Sequence, residues 1–220
     1  MSEVIQECGI EELFTRSNRM RVNNWTMLFK SLISTDHALR LTSSHQSPAR
    51  LVSLYQTKLH WLVLLLSKNT DRIGLVWGLV ISFLERVRGT AIEMDFQYVL
   101  ERFVVEIINL TSIIISKPQL REQSFVLLSL LEPIPPHPSI STRRVTGVRY
   151  LLPALDSSLS SPSRWNDLFV LLLKDASNDL ARPLVWQTLC QLLQERKITV
   201  VNFVPVLKCC LQTSNIVVVR

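Results

Sequence analysis

The sequence is poor in glycine and in aromatic residues, with five glycines and 7% Phe, Trp and Tyr among 220 residues. Because β-sandwiches and β-barrels need many turns, this scarcity of glycine argues against them. The long aliphatic residues that dominate the chain favour helices instead, interrupted by ten prolines. The longest apolar runs, 61–66 and 75–81, fall short of the roughly 20 residues of a membrane-spanning helix. We therefore predict an all-α fold.

The residue patterns of the common enzyme sites are also missing. The four cysteines show no CxxC spacing, and the four histidines have no i, i+4 partner. The sequence contains no GxxxxGK, GxGxxG or GxSxG motif, which excludes the usual phosphate-binding loops and the nucleophile elbow. We predict no catalytic residue, no cofactor and no metal. An enzyme is only a third hypothesis, since it would need a deep polar pocket with perturbed carboxylates.

Acidic residues are sparse in one segment, and the net charge is +6. We interpret only 132–156 as clearly biased, because Arg143, Arg144 and Arg149 lie there with no acid between its ends. Two interpretations stay open for this segment: a solvated or partner-facing loop and helix start, or a contact with an anionic membrane. A nucleic-acid partner is not expected. The first fifteen residues lack the pattern of a secretory signal, so we expect a cytoplasmic protein.

Apolar residues recur at helical spacing, as at Trp25, Phe29 and Leu32 behind Asn23 or Asn24 as N-cap. Helix starts are predicted near residues 24, 48, 70, 95, 118, 140 and 163, followed by two more near 178 and 198. Gly89 is predicted to stop one helix, and Pro153 to kink or end another. The spacing of about 23 residues makes a two-helix unit of about 46, the period of HEAT and armadillo repeats. We predict a HEAT/armadillo-like α-solenoid of about nine helices.

The predicted organisation has two helical parts and a connector. Helical repeats are expected over 1–132, a stiff Pro-rich connector over 133–139, and further repeats over 140–220. The apolar run 216–219 at the end of the second part predicts a truncated segment of a longer solenoid.

Two recurring features have ordinary structural interpretations. An acid stands beside an arginine at three places, which we interpret as surface or inter-hairpin ion pairs: Asp71-Arg72, Glu85-Arg86 and Glu101-Arg102. The five tryptophans lie mostly on the apolar stripes, which indicates core packing.

Three segments resemble motifs that follow the catalytic Sec7 domain in the large Golgi-type Arf guanine-nucleotide exchange factors, the group of the brefeldin A-resistance factors. Residues 69–77 are similar to N-R-D-R-[IV]-x-x-[VL]-W, with Thr70 where the family has Arg. Residues 98–105 resemble F-L-V-E-R-A-V-V, and 165–169 resemble W-x-x-L-F. The matching positions, which we interpret as structural, are Asn69, Asp71, Arg72, Trp77, Glu101, Arg102, Trp165 and Phe169.

The resemblance implies a helical, non-catalytic region downstream of a Sec7 domain, in a protein that loads GTP onto Arf. It implies contact with the Sec7 domain or other regions of the parent protein, only indirect contact with Arf, and peripheral binding to anionic Golgi membrane lipids. The rival hypothesis is a generic HEAT-type adaptor that binds peptide segments, as transport receptors do.

Overall fold

The computed structural model describes residues 12–34, 48–156 and 162–195, with the side chains of 162–166 left aside. Its α-helices, numbered here in chain order, are α1 (Val22–Ile33), α2 (Pro48–Lys68), α3 (Ile73–Glu93), α4 (Gln97–Ile115), α5 (Arg121–Ser129), α6 (Pro138–Asp156), α7 (Pro162–Asp175) and α8 (Arg182–Gln194). Short 3-10 helices precede α1, α3 and α5 at Ser17–Arg19, Thr70–Arg72 and Pro118–Leu120. These residues contain no β-strand, so the predicted all-α class is confirmed for them. The HEAT/armadillo-like solenoid stays a prediction, and the helix predicted near 198 lies outside the described residues.

Proline positions explain why the helix starts were predictable. A proline lacks the backbone N–H that the first helical turn cannot use, and its fixed φ suits that turn. A proline accordingly lies in the first turn of five helical segments: Pro48, Pro118, Pro138, Pro162 and Pro183. The local chemistry of the chain therefore sets most of the helix boundaries.

Two predicted helix boundaries were wrong, and one of the two alternatives for Pro153, a helix end, is excluded. α1 begins at Val22 with Arg21 as its N-cap, so neither Asn23 nor Asn24 caps it. α3 continues through Gly89, because Val87 and Ala91 are buried on either side of it. α6 continues through Pro153 to Asp156, and Leu151, Leu152 and Leu155 are buried around that proline. In the last two cases, burial of apolar residues beyond the helix breaker outweighs its local cost.

The end of α3 is a Schellman turn centred on Asp95. The N–H of Phe96 donates to the carbonyl of Ala91 at 2.8 Å, and the N–H of Asp95 donates to that of Ile92 at 3.2 Å. Asp95 has a φ of 52°, in the left-handed region that glycine adopts without a steric penalty. The buried ring of Phe96 supplies the apolar contact that accompanies this turn. The stop therefore comes six residues after Gly89.

Replacing Asp95 with glycine is expected to raise the free energy of unfolding by about 0.5–1 kcal/mol, because glycine removes the left-handed strain. Replacing it with valine is expected to lower that free energy by about 1–2 kcal/mol. Urea denaturation of the two variants tests whether glycine raises and valine lowers the free energy of unfolding. Equal midpoints for the glycine and valine variants would show that the turn does not control stability.

The chain forms two compact units, Met1–Ile134 and Pro135–Arg220. The first unit ends and the second begins within residues 133–139, the segment that is predicted to be a connector. This segment is not a uniform extended spacer, however. Pro133 and Ile134 continue a run of turns after α5, the Ile134 side chain is buried, and Pro138 already opens α6.

The core of the first unit forms where α2 packs along α4, with α1 against α2 and α3, and α5 against α4. Its largest fully buried aromatic side chains come from four helices: Trp25, Phe29, Tyr55, Phe83 and Phe103. Trp25 and Phe29 stack with ring centroids 5.6 Å apart. In the second unit α6, α7 and α8 pack against one another.

Candidate functional site

The first motif segment, residues 69–77, follows α2 and continues into α3. It holds the N-terminal segment 12–34 in place. Asn69 is fully buried, and its Nδ2 donates to Ser17 Oγ at 2.6 Å and to the carbonyl of Leu65 at 2.8 Å. Because a buried amide is costly unless it is hydrogen-bonded, this pairing fixes the side chain against Ser17. Asn69 thus links the end of α2 to a residue 52 positions earlier in the chain.

Arg72 binds the same N-terminal segment through three backbone carbonyls. Its Nη1 donates to the carbonyl of Ser17 at 3.1 Å, and its Nη2 to those of Asn18 and Met20 at 2.9 and 2.8 Å. Its guanidinium also lies 5.8 Å from the centre of the Trp25 ring. A planar guanidinium can satisfy several carbonyls at once and stack on an aromatic face. The arginine of the motif therefore acts as an internal clamp.

The other positions of this motif are less involved in packing. The Asp71 carboxylate is 81% exposed and lies 3.9 Å from Arg72 Nε, a weak form of the predicted pair. Trp77 is half-buried. Neither forms a hydrogen bond or ion pair with a described residue of segment 12–34.

The C-terminal end of α1 is capped by two cations from α2 and α3. Lys58 Nζ donates to the carbonyls of Leu32 and Ser34 at 2.9 and 2.8 Å, and Arg86 Nη2 to that of Ile33 at 3.4 Å. Cations at this end of a helix satisfy its free carbonyls and interact favourably with its dipole. Burial, and secondarily the charge of Arg86, lower the pKa of Lys58 below its ordinary value.

The second motif segment, residues 98–105, contributes to a charged cluster at the contact between α2 and α4. Arg102 Nη2 contacts Glu106 Oε1 at 2.5 Å and His60 Nδ1 at 2.9 Å. The Glu106 side chain is only 3% exposed and also accepts a bond from Asn109 Nδ2 at 3.2 Å. The ion pairs predicted at Glu101-Arg102 did not include Glu106 as a partner of Arg102. Residues four apart face each other on a helix and adjacent residues do not, so the i, i+4 spacing was the available signal. Glu101 itself is half-buried.

In the second unit, Arg144 is not available to an anionic partner, which corrects its assignment as a membrane contact. Its side chain is fully buried, and its Nε and Nη2 donate to both carboxylate oxygens of Asp175 at 2.7 and 2.5 Å. Arg144 lies between Ile140 and Val148 on the buried stripe of α6, a position that the helical period could have indicated. This bidentate pair connects α6 to the end of α7.

The other predicted positions of this unit are separate from that pair. Arg143 is exposed, whereas Arg149 is half-buried and donates to Gln187 Oε1 at 2.6 Å. Phe169 of the third motif is buried, and the Trp165 side chain lies outside the described residues. Within this unit, Arg144 and Arg149 therefore contact different partners, Asp175 and Gln187.

A second basic segment, residues 13–35, holds four cations and no acid, so the statement that only 132–156 is biased was wrong. Arg16 pairs with Glu12 at 2.5 Å. Arg19, Arg21 and Lys30 are exposed, and no described residue forms a hydrogen bond or ion pair with their side chains. We call these three side chains the N-terminal basic surface. Counting charges between successive acids would have found it.

Among the described residues there is no group of three or more His, Cys, Asp or Glu side chains that could hold a metal ion. No helix within the described ranges combines the length and the apolar character needed to cross a bilayer. Comparison with family models, with curated proteins and with solved structures finds no match.

Proposed function

We propose that the chain is a non-catalytic scaffold segment of a large Golgi-type Arf guanine-nucleotide exchange factor, which binds anionic membrane through its first unit. The observation that carries the membrane part is the N-terminal basic surface, because Arg19, Arg21 and Lys30 are exposed cations without a partner among the described residues. An anionic bilayer attracts each such cation by about 1 kcal/mol. The exposed side chain of Met27 on α1, 71% accessible, adds an apolar group near these charges.

The three motifs support the family part of the proposal. Asn69 and Arg72 combine to bind segment 12–34, and Arg102 contributes to the contact between α2 and α4. Structural roles of this kind agree with the interpretation of the motif positions as structural. In this proposal the clamp at Arg72 presents the basic surface, while guanine-nucleotide exchange belongs to a Sec7 domain elsewhere in the parent protein.

Liposome flotation tests the membrane part. We expect the chain to float with vesicles of phosphatidylcholine and phosphatidylserine. It should not float with vesicles of phosphatidylcholine alone. The triple variant Arg19→Glu/Arg21→Glu/Lys30→Glu is expected to lose on the order of 100-fold in partitioning or more, since three attractions of about 1 kcal/mol each are reversed. Binding should also weaken as salt is raised.

The variant Arg143→Glu/Arg149→Glu is the matched comparison, because these are the two arginines of the predicted contact that remain at least partly exposed. We expect it to float like the unchanged chain. Loss of flotation in this variant alone would place the membrane contact in the second unit. Failure of the unchanged chain to float with anionic vesicles would refute membrane binding.

The family part has a separate test, a pull-down with the Sec7 domain of a large Golgi-type Arf exchange factor. Binding would support a regulatory contact. The rival function, a generic HEAT-type adaptor, would be favoured if the chain bound neither this domain nor anionic vesicles.

A further inference from the structure

One face of α3 is apolar, exposed and free of charge. From Ile73 to Leu84 the helix has no charged residue. Leu75 and Leu79, one turn apart, are 62% and 37% exposed. Gly74, Gly78 and Ser82 are exposed beside them at helical spacing. These five residues, the α3 face, form a strip of roughly 12 Å along the helix axis.

The fold does not require a glycine at position 74 or at position 78 of the α3 face. A Cβ built on Gly74 or Gly78 would meet nothing within 4 Å, and neither residue has a positive φ. Glycine inside a helix lowers its stability relative to alanine, so its presence needs another reason. Small residues one turn apart allow the backbone of a second helix to approach closely. Together with the exposed leucines, the glycines favour a helix as the occupant of this face.

Acidic groups stand at both ends of the α3 face. Asp71 lies in the 3-10 helix just before α3, three residues before Gly74, and Glu85 lies in α3, three residues after Ser82. The two acids therefore flank the α3 face, roughly 20 Å from each other along the chain direction. Both are exposed, and Glu85 has no partner among the described residues. The neighbouring Arg86 donates to the carbonyl of Ile33 at the end of α1. The apolar strip is therefore bordered by negative charge.

This charge pattern disfavours a second copy of the chain as the occupant. Antiparallel pairing of two α3 helices about Gly78 would put Asp71 of one copy opposite Glu85 of the other, and parallel pairing would put each acid opposite itself. Like charges facing each other across an interface oppose association.

We propose that the α3 face docks an amphipathic helix of a partner protein, with an apolar side and a Lys or Arg near each end. The leucines and glycines would contact the apolar side of that helix, and Asp71 and Glu85 would pair with its two cations. This inference stands on α3 and the 3-10 helix before it, and it does not depend on the proposed family or on membrane binding.

Two synthetic helical peptides of 18 residues test the proposal by fluorescence anisotropy with the full chain. Both carry Leu and Ala on one side; one has Lys at two positions fourteen residues apart, and the other has Glu there. We expect the lysine peptide to bind at least tenfold more tightly, and the double variant Asp71→Lys/Glu85→Lys to reverse this preference. Gly78→Leu should weaken binding at least tenfold while the melting temperature is kept or raised, since its side chain enters open space.

Tyr98→Ala is the matched control, because that side chain is 72% exposed on α4, away from the α3 face. It should bind the lysine peptide like the unchanged chain. Equal affinity for the two peptides, no binding of either, or unaltered binding by Gly78→Leu would overturn the proposal. Self-association of the chain, or binding to neutral vesicles, that Gly78→Leu abolishes would also overturn it, by identifying a second copy or a bilayer as the occupant.

Discussion

Replacing Asp175 with alanine is expected to lower the free energy of unfolding of the second unit by about 3–5 kcal/mol. The reason is that the substitution leaves Arg144 buried without this carboxylate. Arg144 is fully buried, and the substitution removes the carboxylate that accepts from its Nε and Nη2. A buried guanidinium that loses its bidentate carboxylate costs more free energy than the loss of a surface ion pair.

Hydrogen exchange of the full chain measures this effect, because it separates the amides of α6, α7 and α8 from those of the first unit. We expect faster exchange in the second unit and no change in α2 and α4. The double variant Arg144→Met/Asp175→Leu is the control. It removes both charges and should recover most of the lost stability, since apolar replacement of a whole buried pair is often neutral or stabilising. A loss below about 1 kcal/mol for Asp175→Ala would mean that the pair is not buried in solution.

Replacing Arg72 with alanine is expected to lower the free energy of unfolding by about 2–4 kcal/mol, the second-largest effect. The variant loses hydrogen bonds to the carbonyls of Ser17, Asn18 and Met20, together with the contact to the Trp25 ring. Arg72→Lys should recover only part of the loss, because an ammonium group cannot match a planar guanidinium at several carbonyls.

Exchange of the amides of segment 12–34 is the measurement for this variant, together with the fluorescence of Trp25. We expect the amides of 12–34 to exchange faster in Arg72→Ala than those of α4. Arg88→Ala serves as the matched control, since Arg88 makes one hydrogen bond of 3.3 Å, to the carbonyl of Leu130. Equal protection of segment 12–34 in the two variants would contradict the role of Arg72 as a clamp.

The Arg72 variant also connects stability with the proposed function. If segment 12–34 separates from α2 and α3, the N-terminal basic surface loses its fixed geometry, but its charges remain. Electrostatic attraction to a bilayer depends mainly on those charges. Flotation is therefore expected to survive in Arg72→Ala and to fail in the triple charge variant, which distinguishes loss of folding from loss of binding.

The helices predicted from the sequence agree best with the structure where they depend on residues close together in the chain. The starts of α2, α6 and α7 follow from a proline at the first turn, and the stripe through Trp25 and Phe29 follows from the helical period. Gly89 was misjudged, and Pro153 does not end its helix, for the opposite reason. Each has a strong local preference, but buried apolar residues on both sides hold the helix together across it.

The candidate site was predicted less well, because its contacts join distant parts of the chain. The motif pointed to Asn69 and Arg72, but it did not indicate that both bind residues more than fifty positions earlier. Arg144 was assigned to a surface because its segment, 132–156, holds three arginines and no acid between its ends. Its partner, Asp175, lies 31 positions away on another helix.

By itself, the amino-acid sequence determined that the described chain is helical and where most of its helices begin, because proline placement and apolar period act within a few residues. Only the tertiary structure decided which charges are buried and which remain on the surface. Burial of Arg144 and Glu106, and exposure of Arg19, Arg21 and Lys30, depend on which helices meet. A charge can leave water only where folding brings a matching group to it, and that pairing is a property of the packed helices.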